Sequence, residues 1–120
     1  MKPYTLVIGA STNPDRYSYK AIMSLLAHGH SVRAISLKKG EVQGVIFDTE
    51  KKQYVDIDTV TVYIRPDNQS SYYEYVISLK PRRVIFNPGT ENKTFYNLLR
   101  DNNIQVEEAC TLVLLSTNQN

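Results

Sequence analysis

Gly9-Ala10-Ser11-Thr12-Asn13-Pro14-Asp15-Arg16 places a glycine, two hydroxyls and an amide directly after a short apolar run. Gly9 lets the backbone turn sharply, and Ser11, Thr12 and Asn13 offer side-chain donors beside backbone N–H groups. A helical pattern follows, whose N-terminus favours negative charge, so the segment reads as a phosphate cradle. It has only the first glycine of the GxGxxG dinucleotide fingerprint, and a loop that merely caps the helix is the plainer alternative. Ser36-Leu37-Lys38-Lys39 follows a second apolar run. An NAD site wants an acid at that position to hold the ribose hydroxyls, and none occurs before Glu41. Two lysines suit a ribose that carries an extra phosphate, as in NADP or coenzyme A; a solvated turn is the other reading.

Asn87-Pro88-Gly89-Thr90-Glu91 is a third polar segment after an apolar run. Asn87 and Thr90 can hydrogen-bond a ligand, Thr90 can cap the next helix, and Glu91 suits that helix's dipole. Cys110 is a conceivable nucleophile, but Glu107 and Glu108 beside it would raise a thiol pKa, and a packed, inert cysteine is the simpler reading. His28 and His30 fall at the far end of the first helical pattern, too distant to serve as its base. His-Gly-His supplies two ligands without an acidic companion, so no metal site is visible.

These segments need elements to position them. Thr5-Leu6-Val7-Ile8 is a continuous apolar run of the kind found in a strand buried on both faces. Tyr19, Ile22, Met23 and Leu26 recur at helical spacing, and Gly29 closes that helix. Residues 31–35 read as a second strand, 59–64 as a third that Pro66 stops, 84–86 as a fourth, and 104–106 as the start of a fifth. Residues 37–56 look irregular, with a turn at 38–40, a short extended piece at 44–47 and at most one helical turn over 48–54. Ser71-Tyr72-Tyr73-Glu74 has the form of a capping box, with Tyr72, Val76 and Leu79 as the stripe behind it. Phe95, Leu98 and Leu99 stripe the next helix, which Asn102-Asn103 ends, and 111–115 make a last helical turn. Strands alternating with helices predict an α/β, Rossmann-like, doubly wound sheet of five parallel strands in the order 3-2-1-4-5, with helices on both faces. Ligands in such sheets sit at the carboxyl ends of the strands at the switch point, expected here between strands 1 and 4.

The chain is 120 residues long with 42% hydrophobic, 22% charged and 10% aromatic residues, which supports one domain over 1–120. Composition excludes disorder, collagen-like repeats and a disulfide scaffold. One cysteine permits no internal disulfide, and the first apolar run is too short for a signal-peptide core or a bilayer span. A cytoplasmic protein is expected. The net charge of +2 argues for neither nucleic acid nor a membrane surface, so an anionic partner should be small and met locally. Of nine tyrosines, Tyr72, Tyr73 and Tyr75 cluster on one helix, and one or two could line a homodimer surface.

Gly9-Ala10-Ser11-Thr12-Asn13-Pro14, Tyr63-Ile64-Arg65-Pro66, Phe86-Asn87-Pro88-Gly89-Thr90-Glu91 and Glu108-Ala109-Cys110-Thr111 together resemble the small stand-alone CoA-binding domain family. That family is similar to the N-terminal domain of the succinyl-CoA synthetase alpha subunit, and the resemblance covers nearly the whole chain in order. It implies a Rossmann-like fold with coenzyme A at the switch point. Gly9, Ser11, Thr12 and Asn13 would meet the phosphates, and Ala10, Tyr17 and Lys20 would belong to the same cofactor-binding set. Ser36, Leu37 and Lys38 would hold the ribose and its 3′-phosphate, although many relatives carry a Val-Asn-Pro-like run where this chain has Ile35-Ser36-Leu37. Tyr63, Ile64, Arg65 and Pro66 would line the adenine side, and Asn87, Pro88, Gly89 and Thr90 would approach the pantetheine arm. The synthetase's phosphohistidine, grasp domain and second subunit have no counterpart in these residues. The expectation is a coenzyme A- or acyl-CoA-binding module, carrier, sensor or partner subunit, non-catalytic alone. An NADP-binding redox module and an acyl-handling enzyme using Cys110 are the alternatives.

Overall fold

A computed structural model describes residues 2–118. The strands are β1 (Tyr4–Ile8), β2 (Ser31–Ile35), β3 (Glu41–Val42), β4 (Val45–Asp48), β5 (Ile57–Val62), β6 (Arg83–Phe86) and β7 (Gln105–Glu108). The helices are α1 (Tyr17–Ala27), α2 (Tyr73–Leu79), α3 (Lys93–Asp101) and α4 (Thr111–Ser116). The α/β, Rossmann-like class stands. Side chains alternate across β1, so that Leu6 and Ile8 enter the core beneath α2 and α3 while Val7 enters the one beneath α1 and α4.

The sheet departs from the expected five parallel strands in the order 3-2-1-4-5. It has seven, in the order β3-β4-β2-β1-β5-β6-β7, and β3 pairs antiparallel with β4 while every other pair is parallel. The run over residues 57–62 therefore lies beside β1, not beyond β2. Burial explains the placement. All of β5 except Asp58 is buried, which only a strand covered on both faces achieves. β4 alternates instead, with Val45 and Phe47 inward and Ile46 exposed, and that pattern suits a position near the sheet's edge.

Residues 49–56 cross from β4 to β5 without a helix. The Tyr54 hydroxyl donates to Asp48, Arg33 makes a bidentate pair with Asp56 at 3.0 and 2.6 Å, and the Tyr75 hydroxyl donates to the Lys52 carbonyl at 2.5 Å. These contacts hold the segment in place of helical packing. They also engage part of the tyrosine cluster. Tyr75 is buried, Tyr73 accepts from Asn92, and Tyr72 lies half-buried under the Lys51 ammonium. Tyr75 is thus taken up by the core, while Tyr72 and Tyr73 keep part of their surface exposed.

Two capping expectations are also corrected. Residues 66–72 form two 3₁₀ turns, and α2 then starts at Tyr73 with no side-chain cap, so Ser71 and Glu74 make no capping box. Asn92, not Thr90, caps α3, its side chain accepting from the Phe95 N–H at 3.2 Å.

Candidate functional site

β1, β2, β5 and β6 all end at one edge of the sheet, and the loops leaving them surround a cleft of about 850 Å³. The switch point lies between β1 and β5, because β2 leads to one side of β1 and β5 leads to the other. The segment facing the first loop is therefore Tyr63-Ile64-Arg65, one strand nearer than the expected Asn87–Glu91. Pro88 and Thr90 still reach the cleft from beyond β5.

Gly9 is required where the two walls meet. Its φ is +94°, and a Cβ there would stand 2.9 Å from Ile64 Cγ2 and 3.1 Å from the Tyr63 carbonyl carbon. The Gly9 and Ala10 N–H groups both donate to the Ile35 carbonyl at 3.0 Å, which fixes the start of the loop to the end of β2. Ser11 Oγ accepts from the Asn13 N–H and Asn13 Oδ1 from the Asp15 N–H, at 3.0 and 2.9 Å, so these side chains shape the turn. Thr12 is held on the far side by Gly40, where a Cβ would come within 2.6 Å of Thr12 Cγ2.

The loop delivers the chain to α1, whose N-cap residue, Arg16, makes no side-chain capping bond. Tyr17 and Ser18, in its first turn, line the cleft. The first backbone N–H groups of a helix have no partner within it and carry partial positive charge. Arg16, Lys38, Lys39 and Arg65 add four full positive charges to the walls, against one acid, Asp15. Among the described residues none of the four forms an ion pair. The pairs that do form, Arg33–Asp56, Lys52–Asp48, Arg82–Asp58 and Arg83–Glu107, all lie outside the cleft.

Tyr63 supplies a different group. Its hydroxyl is buried and has no hydrogen-bond partner among the described residues. Burial pushes its pKa up to about 12, an effect that the nearby hydroxyls of Thr61 and Thr111 offset only in part. It stays a neutral donor at neutral pH.

Of the residues singled out from sequence, Gly9, Ala10, Ser11, Thr12 and Tyr17 line the cleft from the first loop and α1. Ser36, Leu37 and Lys38 line it from the end of β2, Tyr63, Ile64 and Arg65 from β5, and Pro88 and Thr90 from β6. Asn13, Lys20, Pro66, Asn87 and Gly89 are not in the lining. Lys20 instead lies over the Tyr17 ring at 5.3 Å, and Gly89 forms a turn in which its N–H donates to Glu91 at 2.9 Å. Asn87 turns inward. Its amide nitrogen donates to Thr61 Oγ1 and the Val62 carbonyl at 2.6 and 3.0 Å, and its oxygen accepts from the Thr111 N–H at 2.9 Å. Both amide hydrogens are used inside the protein, so this side chain positions β5, β6 and α4 and has none to offer a ligand.

Asp15, Arg16, Ser18, Phe47 and Asn68 line the cleft without having been singled out as ligand contacts. Arg16 was legible as the cation next to a helix start. Phe47 was not, because its place depends on β4 lying beside β2. Cys110 precedes α4, half-buried and outside the lining. No described helix is long and apolar enough to cross a membrane.

The family model for the CoA binding domain matches residues 4–116. A solved structure described only as an uncharacterized protein is 45% identical, with a TM-score of 0.96 and coverage of 100% of this chain and 99% of that one. A protein of Thermus thermophilus, described as cell-free ID.343, has a TM-score of 0.84 at 21% identity over 99% of this chain and 91% of its own. A probable 2-hydroxyacid dehydrogenase of Rhizobium etli, solved with NADP, has a TM-score of 0.62 at 16% identity, over 89% of this chain and 39% of its own. The last two likenesses are of fold alone. No curated protein matches the sequence.

Proposed function

The chain belongs to the CoA binding domain family, and on that premise we propose that its cleft binds coenzyme A or an acyl-CoA, as a binding module that is not catalytic alone. The observation that carries the reading is four cations without an ion pair among the described residues, Arg16, Lys38, Lys39 and Arg65, lining one cleft with the first turn of α1. Such an arrangement repels itself until a polyanion occupies it. Coenzyme A carries a diphosphate and a 3′-phosphate, and two separated clusters answer two separated anions. The α1 N-terminus with Arg16 suits the diphosphate, and Lys38 with Lys39, after β2, suits the phosphate on the ribose. Gly9 supports the fit, since its missing side chain leaves the close approach of loop and β5 that a flat nucleotide needs. Ile64 and the aliphatic part of Arg65 offer an apolar wall for a base, and Pro88 and Thr90 flank the exit for a pantetheine arm.

A carrier, sensor or partner subunit is the role this reading assigns, because what supports it is a set of cations and a helix N-terminus suited to holding phosphates. The test is calorimetric titration with coenzyme A, dephospho-coenzyme A and NADP, after mass spectrometry has shown the protein free of retained ligand. Micromolar binding of coenzyme A, weakened when the 3′-phosphate is absent, is the expected result. Replacing Lys38 and Lys39 together by alanine should weaken coenzyme A about 10- to 100-fold, since a charge-assisted contact is worth about 1.5–3 kcal/mol. Dephospho-coenzyme A should barely respond, and equal losses for both ligands would remove the assignment. Preference for NADP would favour the redox-module reading, which the same two lysines also suit.

A further inference from the structure

Gln69 is completely buried, yet it sits between two exposed segments and belongs to neither helix nor strand. Its side-chain nitrogen donates to the Ile64 carbonyl at 3.0 Å and to the Thr90 carbonyl at 2.8 Å. Its side-chain oxygen accepts from Asn92 Nδ2 at 2.9 Å. Its main-chain N–H donates to the Pro66 carbonyl at 3.1 Å, and its carbonyl accepts from the Tyr72 N–H at 2.8 Å. Every polar group of the residue is engaged. Asn92 in turn caps α3 and donates to the Tyr73 hydroxyl on α2 at 2.9 Å.

The two carbonyls it holds belong to cleft residues that approach from different strands, Ile64 after β5 and Thr90 after β6. No β-ladder joins them at that depth, because the β5–β6 pairing ends at Val62 and Phe86. A buried amide that satisfies one carbonyl from each wall makes their separation a fixed length, since breaking either bond strands a buried acceptor.

We infer that Gln69 is the positioning residue of the cleft, holding the Tyr63–Arg65 wall and the Pro88–Thr90 wall in register so that Arg65 and Thr90 meet a ligand preorganised. This rests on the reading of the cleft as a coenzyme A site. Binding then requires no ordering of either loop, and the ordering cost would otherwise appear as lost affinity. Leucine at this position would keep the volume and remove both donors. Glutamate would keep the shape but, when ionised, would set a carboxylate against two carbonyl oxygens. When protonated it would again donate to one of them.

The ionisable side chains on the segments packed around Gln69 are Tyr63, Arg65, Asp67, Tyr72, Tyr73, Glu74, Glu91 and Lys93; all but the three tyrosines are exposed. They are present in the wild type as well, so a ratio taken to wild type at each pH cancels them. The experiment measures coenzyme A affinity for wild type, Gln69→Leu and Gln69→Glu from about pH 8 to about pH 5, each shown folded by circular dichroism. Gln69→Leu should bind at least about tenfold more weakly across the range. Gln69→Glu should bind weakly at the alkaline end and recover towards wild type at the acid end, which loss of packing alone would not produce. Affinity within about twofold of wild type in a folded Gln69→Leu, or a flat ratio for Gln69→Glu, would overturn the inference. Should Gln69→Leu fail to fold, the pH ratio of Gln69→Glu decides alone. Should wild type bind no coenzyme A, the reading of the cleft fails, and Gln69 is judged by hydrogen exchange. Gln69→Leu must then quicken the Asn68 and Thr90 amides together, which bond the Arg65 and Asn87 carbonyls, while the Tyr63 amide on Ile8 keeps its rate. Quickening of only one of the two would overturn it.

Discussion

Asn87→Ala removes a side chain that is 3% exposed and makes three hydrogen bonds to two elements, two to β5 and one to α4. Thr61 Oγ1 keeps a partner after the change, because it also bonds Thr111 Oγ1 at 2.8 Å. The Val62 carbonyl and the Thr111 N–H lose the bonds that Asn87 made to them. Stranding a buried polar group costs about 1–3 kcal/mol, so the loss should be about 2–6 kcal/mol from a total of about 5–15. With a urea slope of about 2 kcal/mol per molar, the unfolding midpoint should fall by about 1–3 M. A midpoint within about 0.3 M of wild type would refute the view that Asn87 is a bracket between strands. Asn87→Asp sharpens the test by its pH dependence. A carboxyl buried against the Val62 carbonyl has its pKa raised in the folded state, so its stability relative to wild type is fullest below about 3.9 and is lost as pH rises through the folded value. A deficit that stays constant with pH would sink the argument.

Two further outcomes follow from the same physics. Gly9→Ala should lower stability by about 2–5 kcal/mol, combining a left-handed backbone with a contact against Ile64 and Tyr63 that has no room for a methyl group; thermal melting checks it, and a shift of under about 3 °C would contradict it. Asp56 and Asp58 have pKa values held below the ordinary 3.8: Asp56 chiefly by its hydrogen bonds from Arg33, and Asp58 because burial, the largest single influence and an upward one, is outweighed by the combined hydrogen bonds from Arg82 and Thr59 and the nearby guanidinium charges. Their contribution is present above 3.8 and is lost as pH falls through the lowered values, so Asp56→Asn should flatten the acid limb of the stability curve. Unchanged acid sensitivity in that variant would show that the pair contributes nothing measurable.

Local pattern identified most of the elements. Continuous apolar runs marked β1, β5 and β6, helical spacing marked α1 and α3, and Gly9 followed by hydroxyls marked the first loop. The short strands β3 and β4 carried too few residues for a periodicity to show, and residues 49–56 replace a helix with side-chain bonds that reach as far as Arg33 and Tyr75. The strand order failed for a related reason. Pairing partners are chosen by which faces must be covered, and the β-branched run at 59–64, where Thr alternates with Val, reads as well at an edge as at the centre; only the burial of Thr59 and Thr61 places it centrally.

By itself the sequence determined the family, the α/β class and the segments that end at the cleft, because each is carried by residues adjacent in the chain. Tertiary structure decided which segment faces which. It set Ile64 against Gly9, turned Asn87 inward to hold three elements, brought Arg16 and Arg65 to the same cleft, and buried Gln69 between two walls. The physical reason is that an amide or a guanidinium is the same donor wherever it stands. Whether it meets a backbone carbonyl or a ligand depends on groups some 20 residues or more away in sequence, and only the folded sheet brings those within 3 Å.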